Sequence, residues 1–138
     1  MTSRRRRWTF RMTSTDDRLS EIFRLREEFM RAIVEKMPDY YPQWPIDVSK
    51  KQSQVILRDS VLRGVEEMFE ALQHLKNSKP HRQTEVTHFE REEFLEEIVD
   101  AYNYFLTTLV LLGISPEDLH EAYKKKHDII IKRLKDGY

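Results

Sequence analysis

Five carboxylates stand in two short, largely apolar stretches of the sequence, GVEEMFEAL and FLEEIVDAYNYF. They are Glu66, Glu67 and Glu70 in the first stretch, and Glu97 and Asp100 in the second. An unpaired carboxylate is costly to bury among apolar side chains. Hard divalent cations such as Mg²⁺ bind carboxylate oxygens and keep several water ligands. The five acids are therefore candidates for a divalent-metal site.

Helical spacing places these acids on shared faces. At about 100° per residue, the three acids of the first stretch fall within an arc of about 100° that borders its apolar side. In the second stretch Glu97 and Asp100 are three residues apart and project from one side. Either motif alone is typical of a solvated helix face, because 35% of the residues are charged. Two such clusters on facing helices would repel unless a cation lay between them, so together they predict a metal site.

The elements that must position the acids are helices throughout. Apolar periodicity and stop signals predict helices at about 15–36, 49–76, 87–112 and 115–136. The predicted N-caps are Thr15, Ser49, Thr87 (in a capping box with Glu90) and Ser115, and Gly113 is expected to end the third helix. This order predicts an all-α four-helix bundle.

Apolar stripes predict the core faces of the first two helices. They consist of Leu19, Ile22, Phe23, Leu25, Phe29 and Ile33 on the first helix, and Val55, Val61, Leu62, Val65, Met68, Phe69 and Leu72 on the second. This much apolar surface on four helices predicts burial against a symmetry mate, hence a homodimer or homotetramer.

Composition excludes several classes of protein. The 24 basic residues balance the 24 acidic ones, which gives no general attraction to nucleic acid or to an acidic membrane. The chain has no cysteine, so disulfides and thiol chemistry are excluded and the cytoplasm is the expected location. No apolar run is long enough to predict a membrane span. We expect one domain at 15–138, preceded by a basic flexible arm at 1–14 that contains RRRR.

The acidic motifs resemble a known family. Glu66-Glu67-x-x-Glu70 followed by Glu97-x-x-Asp100 is similar to the EExxE…ExxD signature of the all-α nucleoside triphosphate pyrophosphohydrolases, the MazG-like and dimeric dUTPase-like superfamily. The tail YKKKHDIIIKRLKDGY resembles that of the dimeric dUTPase branch at Tyr123, Lys126, Arg133, Gly137 and Tyr138. The resemblance covers about residues 44–138, and short phage-encoded members are the most similar in character.

The resemblance implies a hydrolase that splits a (deoxy)nucleoside triphosphate between its α- and β-phosphates, with Mg²⁺ or Mn²⁺ as cofactor. It implies that the metal ligands are Glu67, Glu70, Glu97 and Asp100. Glu66, with Glu67, would serve catalysis by orienting and deprotonating the attacking water, or Glu66 would be a further ligand. Lys126 and Arg133, seven residues apart on one helix stripe, would bind phosphate oxygens.

The sequence departs from the dUTPase pattern at positions that would read the base. Ile130 stands where the tail usually has asparagine, and FRLREEFM on the first helix offers no glutamine or asparagine for a uracil edge. Lost amide groups should change which base is accepted. A dUTP-like substrate and a purine such as dGTP both stay open. Trp44, Asn103, Tyr104 and Tyr138 are less specific candidates for contacts with the nucleotide.

Two other functions stay open at the level of sequence. One is a non-enzymatic helical module that oligomerises through its amphipathic helices and carries an acidic face. The other is nucleic-acid binding by Arg4–Arg7, which we do not expect because so short a charge block is typical of a loose arm. The five histidines share no metal-ligand spacing and are predicted to lie at the surface.

Overall fold

The computed structural model describes residues 17–85 and 88–137. Within these ranges the chain forms four helices and no strand, so the all-α prediction is confirmed. The helices are α1 (Arg18–Lys36), α2 (Lys51–Leu72), α3 (Arg91–Leu111) and α4 (Pro116–Asp136). Thr15, Thr87, Tyr138 and the arm at 1–14 lie outside the described residues.

The starts of the first two helices differ from the prediction. Asp17, rather than Thr15, is the N-cap of α1, and its carboxylate accepts hydrogen bonds from the Ser20 N–H and hydroxyl, both at 2.8 Å. Ser49 does not cap α2: its N–H and hydroxyl donate to Asp47 Oδ1 at 3.0 and 2.7 Å. This local turn competes with helix capping, so α2 begins after Lys50, without a side-chain cap.

The later boundaries are partly confirmed. The predicted start of the third helix at 87 and the predicted end of the second at 76 are wrong, since α3 begins at Arg91 and α2 ends at Leu72. Gly113 follows the last turn of α3 with φ 70°, a left-handed conformation that glycine adopts without strain. Ser115 caps α4 as predicted, in a reciprocal capping box with Asp118.

The helices fall into two compact units. One contains α1 and α4, and the other, Gln43–Leu112, contains α2 and α3. In the second unit α2 and α3 pack against each other in antiparallel orientation. The Ile46 N–H also donates to the Leu111 carbonyl at 2.9 Å, which joins the segment before α2 to the end of α3. The prediction that 15–138 is one domain stays a prediction.

The core faces predicted from the apolar stripes are largely wrong. Each of the seven apolar residues predicted for the core of α2 is between 36% and 61% exposed. The buried residues of α2 are small ones, Ser60, Gly64 and Ala71. On α1, Phe23 is buried as predicted, but Met30 is the other buried residue, whereas Ile22, Leu25 and Phe29 are exposed. A close helix contact selects small side chains, so the large ones lie beside the contact.

Among the described residues, no single helix combines the length and the apolar character needed to cross a membrane. The required length and apolar character are met only when two consecutive helices, Arg91–Leu111 and Pro116–Asp136, are counted together across the break between them.

Candidate metal centre

Gly64 sets the close approach of α2 to α3. A Cβ atom at this position would lie 3.0 Å from the Cε1 and Cζ atoms of Phe105, and 3.3 Å from the Ala101 carbonyl oxygen. Ala101 is itself fully buried. Only a hydrogen atom fits between the helices here without displacing a neighbour, so glycine allows the two backbones to approach closely.

A hydroxyl pair fixes the register of the same two helices. The Ser60 hydroxyl donates to the Tyr104 carbonyl oxygen at 3.0 Å. Thr108 Oγ1 lies 3.1 Å from Ser60 Oγ and 3.0 Å from the same carbonyl, so its single proton serves either acceptor. Because Ser60 is buried, sliding α2 along α3 would leave polar atoms without partners, which costs about 1–3 kcal/mol per group.

This register brings three of the predicted ligands together. One carboxylate oxygen from each of Glu67, Glu70 and Glu97 lies within 4.8 Å of the other two. We call these three residues the carboxylate group. Glu67 and Glu97 are half-buried and Glu70 is exposed. The two helices therefore hold three oxygen donors at one point, with an open side toward solvent.

The close spacing disfavours the charged forms of the half-buried acids. Burial raises the pKa of Glu67 above its ordinary value, followed by the charges of Glu70 and Asp100. Burial also raises the pKa of Glu97, followed by the charge of Glu70 and a hydrogen bond with it. A divalent cation would relieve this repulsion, because it favours the charged form of all three acids. Oxygen donors at this spacing fit a hard cation such as Mg²⁺ or Mn²⁺.

Asp100 and Glu66 lie outside the carboxylate group. Both are exposed, Asp100 on α3 and Glu66 on α2. Asp100 is still close enough for its charge to contribute to the raised pKa of Glu67, after burial and Glu70. The roles predicted for these two acids stay predictions.

The other predicted site residues are spread over both units. Trp44, Asn103 and Tyr104 belong to the unit of α2 and α3 and are half-buried. The Tyr104 carbonyl oxygen accepts hydrogen bonds from the hydroxyl pair. Lys126 and Arg133 lie exposed on α4, in the other unit.

The prediction of surface histidines is wrong for His74. Its side chain is 17% exposed, and its Nδ1 lies 3.2 Å from Glu90 Oε2. A protonated His74 would oppose the pKa increase that burial and Glu70 cause at Glu97. Helical spacing from Glu70 does not identify this position, because α2 ends at Leu72 and His74 lies in the turn that follows.

Comparison of the chain with family models, with curated proteins and with solved structures finds no match in any of the three. The likeness to the pyrophosphohydrolase signature therefore stays a prediction from motifs.

Proposed function

We propose that the chain is a divalent-cation-dependent nucleoside triphosphate pyrophosphohydrolase. The reaction is (d)NTP + H₂O to (d)NMP + diphosphate, with cleavage between the α- and β-phosphates, in control of the nucleotide pool of the cytoplasm. The observation that carries the proposal is the convergence of Glu67, Glu70 and Glu97 on adjacent helices. The motif likeness at the same residues supports the choice of reaction.

The carboxylate group offers what a cation-dependent phosphate hydrolase needs. Its three acids would hold Mg²⁺ or Mn²⁺, and Asp100, one turn beyond Glu97, would complete the ligand set. When bound, the cation supplies charge neutralisation for the triphosphate and lowers the pKa of a bound water. Glu66, exposed on the helix that carries Glu67, would orient the attacking water and accept its proton. The phosphate-binding role that the resemblance implies for Lys126 and Arg133, which lie on α4, stays a prediction.

The base of the substrate stays open in this proposal. The segment FRLREEFM lies within α1 and carries no amide side chain for a uracil edge. A site without the matching amide gives up discrimination that paired hydrogen bonds would supply. A dUTP-like substrate and a purine such as dGTP are therefore both included, with Trp44, Asn103 and Tyr104 as candidate contacts.

We also propose a homo-oligomer, a dimer or a tetramer. The support is the apolar face of α2, which we define as Val61, Val65, Met68, Phe69 and Leu72. At about 100° per residue these positions share one arc of α2, and the arc of Glu66, Glu67 and Glu70 lies beside it. A contiguous apolar face of this kind is typical of a protein interface.

The same face favours one alternative function. A non-enzymatic module that assembles through this apolar face would also expose large side chains such as Phe69, which is 61% exposed. In that case the acids would be a solvated surface without catalytic use. The turnover of a triphosphate distinguishes the two proposals directly.

The deciding experiment is a substrate panel. All canonical dNTPs and NTPs plus dUTP are assayed for diphosphate release, with Mg²⁺ and with Mn²⁺. We expect at least one triphosphate to be hydrolysed, with activity lost on chelation and reduced on the order of 100-fold or more in Glu67→Gln. The matched control is Glu92→Gln, the same change at an exposed acid that contacts Arg91. Absence of turnover across the panel would support the non-enzymatic module.

A further inference from the structure

A second polar contact joins α2 to α3, next to the carboxylate group. His74 follows Glu70 by four residues and lies in the turn just after the end of α2. Its Nδ1 lies 3.2 Å from Oε2 of Glu90, the N-cap residue of α3. Lys76 adds a longer contact to Glu90, at 3.9 Å, but its side chain is 65% exposed. The histidine contact is therefore the shielded one of the two.

His74 lies in a hydrogen-bonded turn just after α2. The chain leaves the α-helix after Leu72, and the His74 N–H donates to the Ala71 carbonyl at 3.1 Å. Ala71 is fully buried, so this turn is anchored to the packed side of α2. His74 is thus fixed through its backbone on one side and through Glu90 on the other.

The position of this contact matters because the carboxylate group repels itself. Glu67 and Glu70 on α2 and Glu97 on α3 bring carboxylate oxygens within 4.8 Å of one another, and without a cation like charges at this distance favour separation of the two helices. Gly64 and Ser60 hold α2 against α3 on one side of the carboxylate group. On the other side, where the connection between the helices begins, His74 and Glu90 make the corresponding contact.

We propose that the His74–Glu90 contact is a latch that positions Glu70 and Glu97 for the cation. The latch rests on the proposed function, since it presupposes that the carboxylate group binds a divalent cation. His74 is a positioning residue and not a ligand, because its ring nitrogens lie outside the carboxylate group. With the latch closed, the ligand oxygens are spaced before the cation arrives, and less ordering is needed on binding.

The test is Mn²⁺ binding to the full chain, measured from the electron paramagnetic resonance signal of the unbound ion. We expect His74→Ala to weaken binding on the order of 10-fold, as for other groups that support metal ligands. His74→Asn should restore most of the affinity, because its amide nitrogen takes approximately the place of Nδ1. Glu90→Ala and the double variant should match His74→Ala, as expected for two partners of one contact. Lys76→Ala is the control and should bind like the wild type.

The outcomes separate the latch from the proposed function. Equal Mn²⁺ affinity of His74→Ala and wild type would overturn the latch. A loss of Mn²⁺ affinity in His74→Asn as large as in His74→Ala would also overturn it. Both outcomes would leave the hydrolase proposal in place. Wild-type chain that binds no Mn²⁺ would overturn both. Wild-type chain that binds Mn²⁺ with the expected variant pattern, but hydrolyses no triphosphate, would overturn only the hydrolase. If His74→Ala loses helical circular dichroism, the Mn²⁺ affinities of His74→Asn and Glu90→Ala replace it in the test. Wild-type affinity in Glu90→Ala, or a loss of about 10-fold in His74→Asn, would then overturn the latch.

Discussion

Glu67 on α2 and Glu97 on α3 bring carboxylate oxygens within 4.8 Å of each other, and Glu70 completes the group. No lysine or arginine of the described residues forms an ion pair with Glu67 or Glu97. Burial, followed by the charge of Glu70, raises the pKa of both Glu67 and Glu97, so their charged forms are disfavoured in the folded chain. The energetic behaviour of this pair separates a cation site from a solvated surface.

The first prediction concerns pH without a divalent cation. Because the folded-state pKa values of Glu67 and Glu97 are raised, the folded chain binds their protons more tightly than the unfolded chain does. The stability from this source is present at low pH and is lost as pH rises from the ordinary value of 4.5 through the raised values. We expect the double variant Glu67→Gln/Glu97→Gln to lose less stability across this window.

The measurement is urea unfolding from pH 4 to pH 7 in the presence of a chelator. Asp17, Asp47, Asp118 and Glu121 have lowered pKa values, mainly through hydrogen bonds, and act with the opposite sign. Their contribution is common to both proteins and cancels in the difference. Parallel curves for wild type and double variant would show that folding does not raise the pKa values of the two acids.

The second prediction concerns stabilisation by the cation. At a free Mg²⁺ or Mn²⁺ concentration of about 100 times Kd, binding to the folded chain alone adds about 2.7 kcal/mol to the free energy of unfolding. We expect this increment in wild type, and its loss in Glu70→Gln and Glu97→Gln. The measurement is thermal unfolding with and without the cation. Glu92→Gln should keep the wild-type increment, and a loss there would indicate a diffuse charge effect.

The third prediction concerns the close contact at Gly64. In Gly64→Ala the higher helix propensity of alanine, about 1 kcal/mol, works against overpacking on Phe105, about 1–3 kcal/mol. We expect a net destabilisation of up to about 2 kcal/mol and weaker Mn²⁺ binding, because displacement of α2 separates Glu67 from Glu97. Denaturant unfolding and the Mn²⁺ titration measure the two effects.

The double variant Gly64→Ala/Phe105→Leu tests the cause of this loss. A smaller side chain at 105 leaves room for the new methyl group. Gly64→Ala should therefore lower the free energy of unfolding less in the Phe105→Leu background than in wild type. A Gly64→Ala chain at least as stable as wild type would show that the ring moves aside without cost.

The fourth prediction concerns the apolar face of α2. Phe69→Glu places a charge on the most exposed member of this face, and an unpaired charge in an interface is costly. We expect the variant to have the mass of a monomer where wild type has that of a dimer or tetramer, by sedimentation velocity. Phe69→Leu keeps the surface apolar and should preserve the assembly. A wild-type monomer at every concentration would contradict the proposal of a homo-oligomer.

The sequence reveals the helices better than it reveals their contacts. The start of α4 is predictable because Ser115 and Asp118 form a local capping box. The failure at Ser49 is also local, since Asp47 competes for its hydroxyl. Periodicity identifies an apolar stripe but not the neighbour that covers it. Ser60 and Gly64 carry little hydrophobic signal, although they make the helix contact.

The candidate site shows the same division. The ExxE and ExxD spacings predict the convergence of Glu67, Glu70 and Glu97, because helix geometry alone places each pair on a face. His74 escapes such reasoning, since its partner Glu90 lies beyond an irregular connection whose path no periodicity describes.

The hydrogen bond between the Ile46 N–H and the Leu111 carbonyl holds the two ends of the segment 43–112 next to each other. The peptide group before the helix pair is hydrogen-bonded to the peptide group at its end. If the segment were inserted into a loop of another protein, that loop would have to span only a short distance. Segments with adjoining ends are those that tolerate insertion and transplantation. All three members of the carboxylate group lie inside this segment, so a segment transferred to another protein would carry all three acids with it.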